Sequence, residues 1–297
     1  MNNLIKITVP ATSANLGPGF DCLGIALNLY NTFIFEEIDK GIEFIGCSEE
    51  FKNEDNLVYV SMKKCFEKIV YKPSGIRIKM QCNIPVSRGL GSSAACILAG
   101  VMAANEMAGG PLNKAEILEI AVEIEGHPDN LAAALYGGMA VSIKDEENIY
   151  VEKIKLNSEL KFCALIPDFT LSTKMSRSVL PKEISYKDAL FNIGRTALLI
   201  AALNNGNLDT IKIGCEDKLH QSYRGKLINN YEDIIRKCGE LNSKAVFLSG
   251  AGPTIMNIIN VEDEDFIEKI IKYVSNLQNK WIAKPLNVDY KGAIIEN

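Results

Sequence analysis

The feature that most constrains the fold of this chain is a glycine-rich turn between a strand-like segment and a run of small residues. Residues Gly75 to Gln81 alternate apolar and polar side chains, which predicts a half-buried strand. Pro85 ends this strand, because proline cannot donate to a sheet ladder. Small residues prevail from Ser92 to Met107 and predict a helix. The free N–H groups and positive dipole end of that helix face the turn and favour an anion such as a polyphosphate.

The composition of the turn suits close contact with a ligand. Gly89 and Gly91 lack a Cβ, so the backbone can bend sharply. The hydroxyls of Ser92 and Ser93 can donate to phosphate or reach a phosphate-bound metal, whereas Arg88 can offset phosphate charge or point into solvent. We predict that the turn can bind an anion such as a polyphosphate. Its residues are Pro85, Val86, Ser87, Arg88, Gly89, Leu90, Gly91, Ser92, Ser93, Ala94 and Ala95.

Three interpretations of the turn compete. The plainest is a glycine-rich turn with a serine helix cap and no ligand. The second is the dinucleotide pattern G-x-G-x-x-G/A, which Gly89, Gly91 and Ala94 satisfy. That pattern needs an acidic residue at a strand end about 20 residues later, but the stretch from Asn113 to Glu119 has a helical pattern. The third is a kinase turn unlike the Walker motif, since the chain contains no G-x-x-x-x-G-K-[ST].

The composition argues against several other classes of protein. The chain has 297 residues, a net charge of -5 and 47% hydrophobic residues, which suits a globular protein and gives no basic face for nucleic acid. Eight cysteines without a C-x-x-C spacing and only two histidines make a structural zinc site improbable. The first ten residues have no signal-peptide pattern, and no apolar stretch nears the roughly 20 residues of a membrane span. We expect a cytoplasmic protein.

The pattern along the chain predicts two α/β units. In the first half we expect strands at Ile5–Val9, Asn31–Glu37 and Gly41–Ile45, a turn at Asn15–Gly19, and a helix at Asn113–Glu125 capped by Asn113 with Glu116. In the second half we expect strands at Phe162–Pro167, Ala245–Leu248 and Trp281–Val288, helices at Tyr186–Asn204, Asn230–Cys238 and Glu264–Leu277, and a helical region around His220. The polar segment Asp145–Ser158 is the expected boundary. It divides the chain into domains 1–155 and 156–297.

The segment Pro85 to Ala94 resembles the P-x-x-x-G-L-G-S-S-A signature of the GHMP kinases at every defined position. Two further segments resemble the homoserine kinase branch of that family. One is Asn15 to Gly24 (NLGPGFDCLG), and the other is Glu125 to Asn130 (EGHPDN) followed by Tyr136-Gly137-Gly138. Ser249 to Thr254 (SGAGPT) resembles the C-terminal glycine loop of the family. The resemblance therefore spans nearly the whole chain.

This resemblance implies a fold and an activity. The fold is α/β (α+β), with an N-terminal nucleotide-binding domain, a C-terminal ferredoxin-like domain and the active site between them. The activity is ATP-dependent phosphorylation of the hydroxyl of homoserine, a step of threonine biosynthesis. Mevalonate or a sugar is the alternative acceptor, and a regulatory or RNA-binding relative without catalysis is the alternative outside enzymes. The family also makes a homodimer an option.

The resemblance further implies which residues handle the nucleotide and its metal. ATP would bind in the turn, and Asn56 could read the adenine edge or simply begin the helix that follows it. Mg²⁺ takes oxygen ligands; the implied ligands are Glu125 and a serine hydroxyl, for which we choose Ser92 over Ser93. Glu123 is the second choice for the carboxylate.

Homoserine carries one carboxylate and one ammonium, so its site needs arginines for the first and acidic or amide oxygens for the second. The implied arginines are Arg177 and Arg224, and Asn15 and Asp21 would face the ammonium or the hydroxyl. His127, Thr173 and Gly250 complete the implied acceptor site. Asn15, Asp21, Ser92 and Glu125 are the residues that we expect to act in catalysis.

One departure from the wider family concerns the acceptor proton. Mevalonate kinase-like members carry an aspartate base shortly after the histidine, where this chain has Asn130. The adjacent Asp129 would point elsewhere if the segment is helical. We therefore hypothesise that no strong protein base is used and that the hydroxyl is aligned by Asn15 and Asp21.

Overall fold

The computed structural model of the protein describes residues 4–157, 159–260 and 263–296. Its strands form two sheets, and its helices pack against them. The strands are β1 (Ile5–Asn15), β2 (Gly19–Glu37), β3 (Gly41–Ile45), β4 (Gly75–Cys82), β5 (Met139–Asp145), β6 (Asn148–Ile154), β7 (Lys161–Pro167), β8 (Ala245–Leu248), β9 (Ile255–Ile259), β10 (Trp281–Asn287) and β11 (Ile294–Glu296). The helices are α1 (Leu57–Ile69), α2 (Ser92–Met107), α3 (Lys114–Glu125), α4 (Asp129–Tyr136), α5 (Thr173–Ser178), α6 (Tyr186–Asn205), α7 (Ile211–Gly214), α8 (Gln221–Arg224), α9 (Tyr231–Glu240) and α10 (Glu264–Val274). No helix in the described part of the chain is long and apolar enough to cross a membrane.

The first sheet has seven strands centred on the long strand β2. Its main path runs β11-β1-β2-β4-β3, and β5 joins β2 and carries β6. The antiparallel register of β1 and β2 shifts between Ala14 and Asn15. Asn15, Leu16 and Asp21 have positive φ angles of 71°, 45° and 57°. The chain therefore leaves the sheet in a tight turn here, which confirms the turn predicted at Asn15–Gly19.

Helix α2 forms the centre of the first domain. Its residues are buried on nearly every side between Ser92 and Asn105. A Cβ at Gly100 would collide with the carbonyl oxygen of Val58 in α1, so the small residues of α2 are what allow the two helices to approach this closely. The predicted helix Ser92–Met107 is confirmed with the same bounds, and the predicted capping box of Asn113 and Glu116 is present at the start of α3.

The second sheet has four antiparallel strands in the order β10-β7-β9-β8. Residues of α9 and α10 join its strands in one apolar cluster. Along the chain the order is strand, helices, two strands, helix and strand, which is the β-α-β-β-α-β plan of ferredoxin-like domains. The predicted two-domain α/β (α+β) fold with a C-terminal ferredoxin-like domain is confirmed.

The expected polar boundary at Asp145–Ser158 is largely a hairpin. Strand β6 pairs with β5 up to the Asp145–Asn148 pair, because Ile149, Val151 and Ile154 place apolar side chains among the charges of the segment and are half-buried. Ser158 lies outside the described residues. The final strand, β11, pairs with β1 in the first sheet, so the end of the chain rejoins the first sheet. The division into domains 1–155 and 156–297 stays a prediction.

Candidate active site

A cavity of about 350 Å³ is lined by residues from both halves of the chain. It brings together all the residues predicted to bind the acceptor, namely Asn15, Asp21, His127, Thr173, Arg177, Arg224 and Gly250. It also contains Asn56, Glu125 and most of the glycine-rich turn, namely Val86, Ser87, Arg88, Gly89, Gly91, Ser92 and Ser93. Residues predicted from distant segments of the sequence therefore face one space.

The glycine-rich turn is held by close packing against other parts of the protein. Gly89 and Gly91 both have φ angles of 71°. A Cβ at Gly89 would collide with the carbonyl oxygen of Ser249, and one at Gly91 would collide with the hydroxyl of Thr12. Gly91 is the N-cap residue of α2 and has no side chain to cap the helix. Within the described part of the chain the first N–H groups of α2 thus lack a side-chain acceptor at the cavity wall, which suits an anionic ligand.

Four residues of the turn do not line the cavity: Pro85, Leu90, Ala94 and Ala95. Of these, Leu90, Ala94 and Ala95 are buried in the core, where their side chains anchor the turn from beneath. A direct ligand contact for these residues stays a prediction. The guanidinium of Arg88 donates to the backbone carbonyls of Val86, Pro167 and Asp168. Its charge therefore stays beside the turn, and that it offsets phosphate charge stays a prediction.

A hydroxyl and a carboxylate meet at the start of α2. Ser93 Oγ donates to Glu125 Oε2 over 2.8 Å, and Glu125 is the last residue of α3. Glu123 instead pairs with Lys64 and Lys68 on the surface and does not line the cavity. The oxygens of Ser93 and Glu125, with Ser92 beside them on the cavity wall, are the hard donors that Mg²⁺ prefers. The residues present therefore fit such an ion.

Asp21 and Arg177 form a bidentate ion pair. Arg177 Nη2 and Nη1 donate to the two carboxylate oxygens over 2.7 Å and 3.0 Å. This hydrogen bonding to Asp21 raises the pKa of Arg177 above its usual value. The backbone N–H of Asp21 donates to Asn15 Oδ1, and Asn15 Nδ2 donates to the carbonyl of Gly250. The turn after β1 thus fixes Asp21 against α5 and against the C-terminal glycine loop.

Arg224 is almost completely buried, with 1% of its surface exposed. Its Nη1 donates to the carbonyl of Gly250 and lies 3.3 Å from His220 Nδ1, while Nε donates weakly to the carbonyl of Ser176. Among the described residues none accepts a hydrogen bond from Nη2. Burial, followed by the charge of Arg177, lowers the pKa of Arg224 to about 10. A buried guanidinium with free donors at a cavity wall is suited to an anionic ligand.

The side chain of Asp129 points into the cavity, which corrects the expectation that a helical segment would direct it elsewhere. Asp129 is the first residue of α4 and is only 2% exposed. Its Oδ1 lies 2.6 Å from His127 Nδ1 and accepts the backbone N–H of Asn130. Asn130 also lines the cavity and accepts a hydrogen bond from Thr12. Asp129 is at the first position of its helix, so its side chain can turn back toward the preceding loop, where His127 lies. The sequence alone did not reveal this direction.

Asp21, His127 and Asp129 form an electronegative group, with their ligand-capable atoms all within 4.8 Å of one another. Burial lowers the pKa of His127, but the hydrogen bond and charge of Asp129 outweigh it and leave that pKa raised above 6.5. Arg177 and Arg224 line the same cavity, and both lie near Phe20, with their guanidinium carbons 5.6 Å and 5.0 Å from the centre of its ring. The wall therefore has an acidic pole and a basic pole.

The other end of the cavity is apolar. Its lining includes Phe51, Leu57, Val58 and Met80 with three thiols, Cys47, Cys82 and Cys96. Asn56 lies here as the N-cap of α1, where Oδ1 accepts from Val58 and Nδ2 donates to Phe51. Both ends of its amide serve the turn, and an adenine contact for Asn56 stays a prediction. The three thiols were missed because they lie on a strand end, on a helix and in a loop, and which of these elements faces a cavity depends on tertiary packing.

Comparison with known proteins agrees with this geometry. The model described as GHMP kinases N terminal domain matches residues 56–138, and that described as GHMP kinases C terminal matches residues 199–278. A homoserine kinase from Clostridium botulinum strain Langeland is 58% identical over 294 residues, covering 99% of each chain. One from Clostridium beijerinckii is 50% identical over 293 residues, covering 98% of each chain. A crystal structure of homoserine kinase from Cytophaga hutchinsonii has a TM-score of 0.90 at 27% identity, covering 100% of this chain and 98% of its own. The chain belongs to the GHMP kinase family and, within it, to the homoserine kinases.

Proposed function

We propose that the protein transfers the γ-phosphoryl group of ATP to the side-chain hydroxyl of homoserine within the cavity described above. One observation carries this proposal. The open start of α2, the Ser93–Glu125 oxygen pair and a wall with opposite charge poles all line the same space. Phosphoryl transfer needs a phosphate cradle, a metal site and an aligned acceptor, and this cavity has a candidate for each.

The acceptor would be recognised by charge. Its carboxylate suits Arg177 and the free donors of Arg224, because guanidinium groups bind carboxylates through parallel hydrogen bonds. Its ammonium suits Asp21 and Asp129, the carboxylates of the acidic pole. In the free protein Asp21 and Arg177 satisfy each other. A zwitterionic amino acid can exchange that single pair for two, so neither charge is left unpaired on binding.

The nucleotide would place its phosphates at the glycine-rich turn and its base toward the apolar end. Glu125 with Ser92 or Ser93 would hold Mg²⁺, which supplies charge neutralisation for the phosphates. The contact of Ser93 with Glu125 supports Ser93 as a partner of the carboxylate alongside Ser92, the serine chosen from the sequence. Thr173, Gly250 and His127 would shape the acceptor end of the cavity.

The acceptor hydroxyl would be aligned by Asn15 and Asp21, and its proton would leave late, to a phosphate oxygen or to solvent. Asn130 is an amide and cannot accept a proton, and the carboxylate of Asp129 would be engaged by the ammonium of the acceptor. Catalysis would then rest on positioning and charge, which can supply most of the rate enhancement in phosphoryl transfer. A cytoplasmic location and a homodimer stay predictions.

The experiment is a coupled assay of ADP release with homoserine, mevalonate, galactose and shikimate as acceptors. The proposal predicts that kcat/KM for homoserine exceeds that for each other acceptor by at least about 100-fold, because only homoserine matches both charge poles. A mevalonate or sugar turnover equal to that of homoserine would contradict the acceptor assignment and leave the kinase assignment in place.

A further inference from the structure

Arg88 ties the glycine-rich turn to the second domain. Its Nε donates to the carbonyl of Pro167 over 3.1 Å, and its Nη2 donates to the carbonyl of Asp168 over 2.7 Å. Its Nη1 donates to the carbonyl of Val86 within the turn itself, also over 2.7 Å. Each nitrogen of the guanidinium therefore has a backbone acceptor. Two of these acceptors lie at the end of strand β7 and just beyond it.

A second bond joins the same two regions. The backbone N–H of Leu171 donates to the carbonyl of Ser87 over 3.0 Å, and Leu171 is 6% exposed on the cavity wall. Ser87 and Arg88 are neighbours in the turn. They hold the two ends of residues 167–171, which we call the connecting segment.

The connecting segment leads directly into the acceptor side of the cavity. Ser172 caps helix α5 through a hydrogen bond from the N–H of Met175. Ser176 then donates to the carbonyl of Ala251, and Arg177 pairs with Asp21. Hydrogen bonds and the short stretches of backbone between them thus connect the glycine-rich turn, through Arg88 and the connecting segment, to Arg177 and Asp21.

We propose that Arg88 is a positioning residue that couples the occupancy of the glycine-rich turn to the placement of α5, so that nucleotide and acceptor strengthen each other's binding. This inference rests on the proposed function, since it takes ATP and homoserine as the two ligands. A nucleotide that orders the turn would order the connecting segment through Arg88. Arg177 would then be held where the acceptor carboxylate needs it. By linkage, homoserine would increase nucleotide affinity by the same factor.

The fork of Arg88 cannot be reproduced by lysine. A guanidinium presents fixed, divergent donors that reach three carbonyls at once, whereas an ammonium is a single point of donation on a flexible stem. Arg88→Lys keeps the charge and the aliphatic stem and removes the simultaneous contacts. Arg88→Gln keeps a planar donor and removes the charge, and it provides a second variant if the first folds poorly.

The test is calorimetric titration of homoserine into the full chain, with and without saturating Mg²⁺ and a non-hydrolysable ATP analogue. The ratio of the two dissociation constants is the coupling factor. We expect a factor of at least about 5 in the wild-type protein and a factor near 1 in Arg88→Lys. Arg236→Lys is the matched control, because Arg236 is 64% exposed on α9 and pairs there with Asp233 and Glu240. It should keep the wild-type factor.

A merely structural role for Arg88 would lower the melting temperature or both affinities and leave the coupling factor unchanged. That outcome would overturn the proposal, as would a coupling factor of 1 in the wild-type protein. If the wild-type chain binds the analogue but never homoserine, the proposed function fails, and this inference fails with it.

Discussion

Replacing Asp21 by asparagine should separate substrate recognition from stability. Asp21 and Arg177 are 36% and 37% exposed, and exposed ion pairs contribute only about 0.2–1 kcal/mol. The φ angle of 57° at Asp21 adds no cost, because asparagine adopts the left-handed region as readily as aspartate. We therefore expect Asp21→Asn to lower the free energy of unfolding by at most about 1 kcal/mol, which is a fall in Tm of at most about 3 °C.

The effect on turnover should be larger. A charge-assisted hydrogen bond between the ammonium and the Asp21 carboxylate contributes up to about 3 kcal/mol. In the wild-type protein homoserine must displace Arg177 from Asp21, which costs at most about 1 kcal/mol. The variant has no such ion pair to break, so this cost offsets part of its loss. The net loss is about 2 kcal/mol, and kcat/KM for homoserine should fall by about 30-fold.

The matched control for this prediction is a second acceptor. 4-Hydroxybutyrate keeps the carboxylate and the hydroxyl of homoserine but lacks the ammonium. The loss of kcat/KM in Asp21→Asn should therefore be about tenfold smaller for 4-hydroxybutyrate than for homoserine, and the loss that remains reports alignment of the hydroxyl. The assay is coupled ADP release at saturating Mg²⁺ and ATP, with thermal denaturation of both proteins in the same buffer. An equal loss with both acceptors would refute ammonium recognition by Asp21 and would indicate a role at the hydroxyl.

Three other predictions test other parts of the cavity. Glu125→Gln should lower kcat by at least about 100-fold and raise the Mg²⁺ concentration needed for half-maximal activity. In the control variant Glu123→Gln, kcat should stay within about twofold of wild type. Similar losses of kcat in both variants would show that Glu125 is not the metal ligand. Asp129 leaves the folded-state pKa of His127 above 6.5, so the charged imidazole stabilises the folded state. His127→Gln should therefore lower the free energy of unfolding by its full amount below about pH 6.5, and this difference should vanish as the pH rises through the folded-state pKa. A difference in unfolding free energy that grew with pH would contradict this sign. Cys82 is an exposed thiol, so mass spectrometry after brief maleimide treatment should find it labelled first. ATP should slow this labelling, because its base would occupy the apolar end of the cavity. Unchanged labelling at saturating ATP would place the base elsewhere.

Local sequence signals predicted the parts of the fold that depend on neighbouring residues. The bounds of α2 follow from a glycine at its N-cap and small residues thereafter. The start of α3 follows from a box made by Asn113 and Glu116, only three residues apart. Three of the four strands of the second sheet were predicted from their apolar residues, whereas β9 (Ile255–Ile259) was not predicted. Each of the predicted features depends on residues within a single turn or strand, so it can be predicted from the local sequence.

Contacts between distant residues could not be predicted in this way. Arg88 donates to carbonyls about 80 positions later in the chain, and nothing near Arg88 in sequence indicates those partners. The direction of Asp129 depends on how α4 meets the turn after β1. The strand β6 was hidden because charged residues interrupt its alternation. The site itself was found from the sequence because its motifs resemble those of a family, and the geometry adds which of their atoms meet.

The most direct test of the central claim follows the phosphoryl group itself. The protein is incubated with ATP labelled in the γ-phosphate and with homoserine, and the products are separated and treated with hydroxylamine, which cleaves acyl phosphates and leaves phosphomonoesters intact. The account predicts that label leaves ATP in step with ADP formation and appears in O-phosphohomoserine, a hydroxylamine-stable monoester. Label that appears only as inorganic phosphate, at a rate independent of homoserine, would contradict it.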